Sequence, residues 1–398
     1  MFVGVLREIK EDERRVALQP CQARLLGERG HKVYVEEGAG VGAGFADTEY
    51  AANGASVVSK ATVLERCALL LKVKAPMPAE YGDYRDRHTL FTYLHFDENI
   101  SASNILSLIR SGFLGLAYEW VGENGHYPLL QPMSRLTGYL FAQKALEICA
   151  REKGVFCAAN EDFLPAGRAM IVGLGNIGLS AFRFLSDLKV QLVVVANSTA
   201  DEVNRRANER FETREVDYIA RAEASFIQMD TDDPDKTRAE IAAHMPKLDI
   251  LINCAVRRPD LSKGKLSYLI DAPMIAAMER NSVVCDATAN DKDLIETCVS
   301  SASLDKTYTE SGVVHYNCDH IPALVARTAT ELLTEHTFPY VMQLADRGVI
   351  DAIRHNGYLA NAACCYRGHV THSLSAEKKD LPYQPIQDLL HETYDLVS

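Results

Sequence analysis

The stretch Ala169-Met-Ile-Val-Gly173-Leu-Gly175-Asn176-Ile177-Gly178 restricts the fold of this chain more than any other feature. Its apolar start reads as a buried strand, and a helical pattern over Asn176–Leu188 opens inside the glycine turn. A G-x-G-x-x-G spacing alone is weak, but between a strand and a helix it marks a βαβ unit that binds a dinucleotide. Gly173 permits the tight turn, Gly175 lets a ligand approach the backbone, and Gly178 lets helix and strand pack closely. The helix start offers free N–H groups and partial positive charge to a diphosphate. Gly173, Gly175, Asn176, Ile177 and Gly178 are therefore candidate cofactor-binding residues. A second glycine run, Gly38-Ala-Gly40-Val-Gly42-Ala-Gly44, has a different spacing with no helix starting at once, so it reads as a flexible loop.

Strand-like and helix-like segments alternate on both sides of this motif. Strands are expected at Phe2–Leu6, Lys32–Glu36, Ala68–Val73, Thr89–Leu94 and Phe113–Tyr118, with helices at Pro20–Arg29 and Ala102–Ser111. A long amphipathic helix follows, with Ser134 as its N-cap, apolar Leu136, Leu140, Phe141, Ala145, Ile148 and Cys149 on one face, and Gly154 past its end. Further strands are expected at Ala169–Val172, Gln191–Ala196, Asp249–Asn253 and Ser282–Asp286, and a helix at Asp201–Arg210. After about residue 305 a short strand precedes two helical pieces, Ala323 to about His336 and Pro339–Gly348. Alternation of this kind predicts parallel sheets covered on both faces. The expected fold class is α/β, with two Rossmann-like doubly wound domains and a cleft between them. The expected domains are residues 1–130 plus 306–398, and a dinucleotide-binding domain over 131–305.

Composition narrows the partners. The 398 residues carry a net charge of −12, which disfavours nucleic acid and anionic membranes as partners. No apolar run reaches the roughly 20 residues that a membrane span needs. The first residues place a strand before charge, unlike a secretory leader, so a cytoplasmic location is expected. Ten cysteines without framework spacing suggest reduced thiols. Cys364, Cys365, His369 and His372 are the densest cluster, but adjacent cysteines and closely spaced histidines fit no common zinc site. They read as buried thiols beside surface histidines, and no metal is expected.

NAD-binding sites of this kind place an acid at the end of the second strand, where it binds the ribose diol. Here Asn197-Ser198-Thr199 stands in that place. Neutral donors accept a 2′-phosphate that a carboxylate would repel, and Arg205 and Arg206 follow on the next helix. This favours NADP over NAD. The alternative is that the neutral residues bind the diol and the arginines are surface.

Several separate motifs in order along nearly the whole chain resemble the alanine dehydrogenase family, which is related to the transhydrogenase nucleotide-binding subunit. They are Arg7-Glu-Ile-Lys10, Glu13-Arg-Arg-Val-Ala-Leu18, Leu71-Lys-Val-Lys-Ala-Pro76, Leu90-Phe-Thr-Tyr-Leu-His95, Ala117-Tyr-Glu119, Pro128-Leu-Leu-Gln-Pro-Met-Ser134, Pro339-Tyr-Val341 and Leu344-Ala-Asp346. The resemblance implies that Arg15 binds a substrate carboxylate, Lys74 a substrate oxygen, and that His95 is the general acid/base. It places Met133 and Ser134 near the nicotinamide or its phosphates, and implies a homo-oligomer. The residues agree on their own terms. Lys74 and His95 lie just past expected strands, and Arg15 on the loop after the first, the edge where open α/β sheets bind ligands. A guanidinium suits a carboxylate, and an imidazole exchanges protons near neutral pH.

The chain departs from that family at three places. In the Asp-x-Ala-x-Asp pattern, Asn290 takes the place of the second aspartate and Asp291 lies one residue late: either a one-residue shift lets Asp291 serve as the catalytic acid, or the acid is lost and Asn290 hydrogen-bonds the substrate amine. The Cys-Val-Ala-Asn-Met-Pro pattern becomes Asn317-Cys-Asp319-His320-Ile-Pro322, which makes His320 a candidate substrate-binding residue. Arg257 and Arg258 stand where the family is apolar. The expected chemistry is reversible reductive amination of a small 2-oxo acid to an amino acid by hydride transfer. The alternatives are an opine-type enzyme joining a 2-oxo acid to a second amino acid, as in the related carboxyethylornithine synthase and saccharopine dehydrogenases, or a nucleotide-binding protein without turnover.

Overall fold

A computed structural model describes residues 1–98, 100–158, 167–230, 232–256, 268–288 and 290–395. The chain forms two compact units. One comprises Met1–Met133 with Pro322–Ser398, the other Ser134–Ile321. Arg257 and Arg258 lie outside the described residues.

The first unit holds strands β1 (Phe2–Val5), β2 (Lys32–Glu36), β3 (Ser56–Val58), β4 (Leu69–Leu71), β5 (Thr89–Thr92) and β6 (Leu114–Ala117). The second holds β7 (Arg168–Val172), β8 (Gln191–Ala196), β9 (Ser225–Gln228), β10 (Ile250–Asn253), β11 (Val283–Asp286), β12 (Tyr308–Glu310) and β13 (Val313–Tyr316). Strands β14 (Ala363–Tyr366) and β15 (His369–Val370) return to the first sheet. Its order is β15-β14-β6-β5-β4-β1-β2-β3, with β14 antiparallel to β6 and β1 to β6 all parallel. The second sheet runs β12-β13-β11-β10-β7-β8-β9, parallel except for β12. Both sheets are doubly wound and Rossmann-like. Strands buried on both faces need continuous apolar runs, and Leu69-Leu70-Leu71 and Ile250-Leu251-Ile252 supply them.

Several expectations are corrected. The long helix spans Leu130–Glu152, so Ser134 lies inside its first turns and is not its N-cap. Pro132 sits in the first turn, where its missing N–H costs nothing, and so does not delay the helix. The two pieces expected after residue 323 form one helix, Ala326–Arg347, that runs through Pro339 after a short 3-10 turn at Ile321–Val325. Residues 308–316 belong to the second sheet, so the second unit extends past residue 305 to Ile321. The Gly38–Gly44 run is a packed turn. A Cβ at Gly40 would lie 2.6 Å from the Tyr50 ring, and one at Gly42 would lie 2.8 Å from the Arg14 carbonyl oxygen. Cys364 and Cys365 are buried, and so is His372, which packs on Trp120 with ring centres 4.3 Å apart rather than lying at the surface. No described helix is long and apolar enough to cross a membrane.

Candidate active site

In the first sheet the strand order reverses between β1 and β4. Loops leaving the carboxyl ends of strands beside such a point open a ligand crevice. Arg15 follows β1, Lys74 follows β4 and His95 follows β5, so the structure brings these three to one edge. Lys74 acts electrostatically on His95. Tyr93 links the rest: its ring stacks on His95 at 5.3 Å and 9°, and it lies within the electrostatic reach of Arg15.

Buried acids hold each member in place. Arg15 is 3% exposed, and its Nε and Nη2 donate to the two oxygens of Glu13 at 2.8 and 2.6 Å. This fork leaves Nη1, 3.8 Å from the Met133 sulfur. Burial disfavours the Arg15 cation, but Glu13 outweighs it and raises its pKa. Glu8 accepts from the backbone N–H of Val73 at 2.7 Å and of Lys74 at 3.3 Å. Its other oxygen meets the buried Lys72 ammonium at 3.3 Å, and Lys72 also donates to Glu80 at 3.0 Å. The Thr92 hydroxyl donates to the Lys74 carbonyl at 3.0 Å. The loop carrying Lys74 is therefore fixed from both sides.

His95 has φ +51°, a left-handed conformation that costs about 1–3 kcal/mol away from glycine. Glu119, buried after β6, accepts its backbone N–H at 2.6 Å and that of Leu94 at 3.1 Å, which stabilises this turn. The imidazole Nδ1 lies 3.0 Å from Glu98. Burial disfavours the imidazolium and Lys74 repels it, but Glu98, helped by Glu119, prevails and raises the His95 pKa. Burial likewise opposes the Glu98 carboxylate, yet His95 and then Lys74 hold it below the usual range. The result is Arg15, Lys74 and an imidazole whose cationic form Glu98 favours, set on a frame of buried acids. That set can take a carboxylate, polarise a neighbouring oxygen and move a proton.

In the second sheet the order reverses between β7 and β10, and the glycine turn sits at that point. Gly173 has φ +87°, and a Cβ there would lie 2.6 Å from that of Ala255. A Cβ on Gly178 would fall 1.8 Å from the Gly173 oxygen. Gly175 has nothing within 4 Å of its Cβ direction, and Gly175 and Asn176 are exposed. The turn thus packs tightly inward and leaves its outer backbone open, which fits a diphosphate over Asn176 and Ile177 at the start of the helix Asn176–Asp187. Asn197, Ser198 and Thr199 follow β8. Thr199 caps the helix Ala200–Phe211 in a reciprocal bond pair with Glu202, and the Ser198 hydroxyl accepts from Arg206 at 3.2 Å. Arg205 instead pairs with Glu209 at 2.7 Å.

The remaining candidates lie in this second unit. Asp291 is exposed, and its Oδ1 accepts from the Ser300 N–H and hydroxyl, both at 2.7 Å. Asn290 is half-buried. His320 is buried, its Nδ1 2.7 Å from Asp319 and 3.7 Å from the Cys318 sulfur, while its Nε2 meets no hydrogen-bond partner. These three adjacent residues are the grouping of metal-ligating types found among the described residues, and the Asp319 contact already engages the imidazole. Ser134 lies in the long helix, whereas Met133 packs against Arg15 in the first unit.

Sequence reasoning gave no role to Glu8, Glu13, Glu98, Glu119 or Asp286. Glu13 and Glu98 did leave a signal, an acid within a few residues of a candidate cation in a loop that follows a strand, whereas Glu119 and Asp286 meet their partners through the fold. Asp286 ends β11 fully buried, with Oδ1 accepting from Asn253 and Thr288 and Oδ2 unpartnered. Burial pushes its pKa up to about 6 against those bonds.

Comparison with known proteins gives one family. The N-terminal domain of alanine dehydrogenase/PNT matches residues 4–137, and its C-terminal domain matches residues 142–373. An alanine dehydrogenase of Methanococcus maripaludis is 31% identical over 398 residues, covering 98% of this chain and all of that protein. One of Bacillus subtilis is 31% identical over 395 residues, with 98% of each chain covered. A solved L-alanine dehydrogenase superimposes with a TM-score of 0.78 at 30% identity, covering 95% of this chain and 99% of that one. A transhydrogenase from Sinorhizobium meliloti shares the fold at a TM-score of 0.69 and 22% identity, with 94% and 99% covered. These matches bear out the resemblance read from the motifs.

Proposed function

This chain belongs to the alanine dehydrogenase/PNT family, and from that premise we propose that it is an alanine dehydrogenase-like amino-acid dehydrogenase that interconverts a small 2-oxo acid and its 2-amino acid. The observation that carries this reading is the gathering of Arg15, Lys74 and His95 on buried acids at the switch point of the first sheet. The unit 1–133 with 322–398 is the substrate unit, and 134–321 binds the nicotinamide dinucleotide. Gly173, Gly175, Asn176, Ile177, Gly178 and Ser134 hold its diphosphate end, and Asn197, Ser198 and Thr199 its adenosine ribose. When bound, the dinucleotide supplies or takes the hydride.

Arg15 directs its Nη1 edge at the substrate carboxylate while Glu13 holds the rest of the fork. Lys74 polarises the oxo group and favours addition of ammonia. His95, whose cationic form Glu98 favours, gives up a proton as water leaves and takes one back in the reverse direction. Holding these groups on short buried loops supplies rate through orientation. Asn290 takes the place of the second aspartate in the pattern read from the sequence, and it offers the substrate amine a neutral acceptor, with Asp291 the nearest carboxylate in sequence. His320 is a further substrate contact. Like its relatives the chain acts on small molecules, and it is proposed to assemble with copies of itself.

The test is oxidation of NADPH or NADH by the purified chain with ammonia and a panel of 2-oxo acids, and with ornithine or lysine in place of ammonia. Turnover with ammonia is expected. His95→Ala is expected to cut it at least 100-fold with dinucleotide affinity unchanged. Turnover only with a second amino acid would move the chain to opine chemistry, and unchanged turnover in H95A would remove His95 from the mechanism.

A further inference from the structure

Three arginines gather beside the glycine turn of the second unit. Arg135, Arg206 and Arg210 line a cavity of about 380 Å³ together with Gly175, Asn176, Leu179 and Glu209. A larger depression of about 580 Å³ lies at the opposite, amino-terminal edge of the same sheet, lined by Arg168, Gln191 and Ser225. Parallel sheets bind ligands at carboxyl ends, so the smaller cavity is the relevant one.

The positive charge in the cavity is poorly compensated. Glu209, the acid in its lining, is paired with Arg205. Arg210 bonds to neutral groups, the Asn176 carbonyl at 2.7 Å and the Ser180 hydroxyl. Burial, and then the nearby Arg135, lower the Arg210 pKa to about 10. Arg206 reaches back along its helix to Ser198 at 3.2 Å, at the end of β8. Its Nε is buried without a hydrogen-bond partner. Glu202 lies within the electrostatic reach of Arg206, but its carboxylate is held by the Thr199 N–H at 2.9 Å. Arg206 and Arg210 are partly buried and Arg135 is exposed, so like charges gathered here without a carboxylate of their own favour an anion joining them.

The place of this charge identifies the anion. Ser198 occupies the position after the second strand where the adenosine ribose of a dinucleotide lies, and no acid stands there to bind a free 2′-hydroxyl. The planar fork of arginine suits phosphate oxygens. We propose that Arg206 and Ser198 form a 2′-phosphate site, with Arg210 and Arg135 supplying charge between it and the diphosphate turn, so that the chain selects a 2′-phosphorylated dinucleotide. This rests on the reading of the second unit as a nicotinamide-dinucleotide unit. Arg205, the other arginine on that face of the sequence, takes no part.

Fluorescence titration of the full chain with NADPH and with NADH tests it. The wild type is expected to bind NADPH at least tenfold more tightly than NADH. Arg206→Gln is expected to lose tenfold or more for NADPH and less than threefold for NADH, and Arg206→Lys to retain part of the preference. The fragment 2′,5′-ADP is expected to displace NADPH better than 5′-AMP in the wild type but not in R206Q. Equal or tighter binding of NADH by the wild type would overturn the 2′-phosphate site and leave the dinucleotide reading standing. Equal weakening of both cofactors in R206Q would also overturn it, because Arg206 would then serve a part they share. Binding of neither cofactor would remove the dinucleotide reading and this inference together.

Discussion

A histidine held at φ +51° by a carboxylate on its own N–H, with a second carboxylate 3.0 Å from its ring, is tuned as well as placed. His95 and Glu98 shift in opposite directions, so their pairing stabilises the fold within a window. It is fully present between the ordinary Glu value of 4.5 and the ordinary His value of 6.5. It is lost as pH falls through the lowered Glu98 value or rises through the raised His95 value. The proposed mechanism carries the alkaline half of this dependence over to catalysis. Amination needs the imidazolium, so its kcat/KM is expected to fall as pH rises through the raised His95 value. In Glu98→Gln the larger raising partner is gone, leaving Glu119 alone against burial and Lys74. The falling limb should then move to lower pH, with the plateau rate much less affected. A pH-rate profile of both proteins reads this directly, and an unmoved limb in E98Q would show that the titrating group is not His95.

At the scale of elements, close backbone contact explains what a spacing rule alone does not. The glycine turn was legible because three glycines in a row of six positions each do a separate job. Gly138 was not, although it is as constrained. It lies in the helix Leu130–Glu152, where a Cβ would come 2.0 Å from the Ile177 carbonyl oxygen and 2.7 Å from the Ser180 Cβ. A glycine inside a helix costs about 1 kcal/mol relative to alanine, and that cost was the available signal of a close crossing. Gly138→Ala is expected to destabilise the chain by roughly 3 kcal/mol or more, because backbone cannot yield as a flexible side chain can. Chemical denaturation measures it, and a change below about 0.5 kcal/mol would show that the helices separate freely. The same contact presses on the first turn of the helix that follows Gly175, so weaker dinucleotide binding should accompany the loss. The short strands β3 and β9 escaped the sequence reading for a related reason. Each is a brief edge strand, β3 with no fully buried residue and β9 with one, which leaves little apolar periodicity to detect.

For the whole molecule, the chain leaves its first unit at Met133 and returns at Pro322. The return was legible in the change of pattern after the last strands, but its consequences were not, because they depend on pairings hundreds of residues apart. Thr330 accepts the Val16 N–H at 3.1 Å, and Thr334 accepts from the Gln19 side chain at 2.6 Å while its carbonyl accepts from Gln22 at 3.1 Å. The last part of the chain thus clamps the segment that follows Arg15, and β14 closes the sheet edge beside β6. Each unit therefore carries a complete sheet with its own switch point, and ligands should register on them separately. Hydrogen exchange read by mass spectrometry tests that division. Ligand binding adds protection where it removes local opening. NADPH should slow exchange around 173–178, 197–199 and 206–210, whereas a 2-oxo acid added to that complex should slow it around 13–16, 72–75 and 93–98. Protection by the 2-oxo acid confined to residues 134–321 would mean that Arg15, Lys74 and His95 do not meet substrate, and their buried acids would then serve the fold alone.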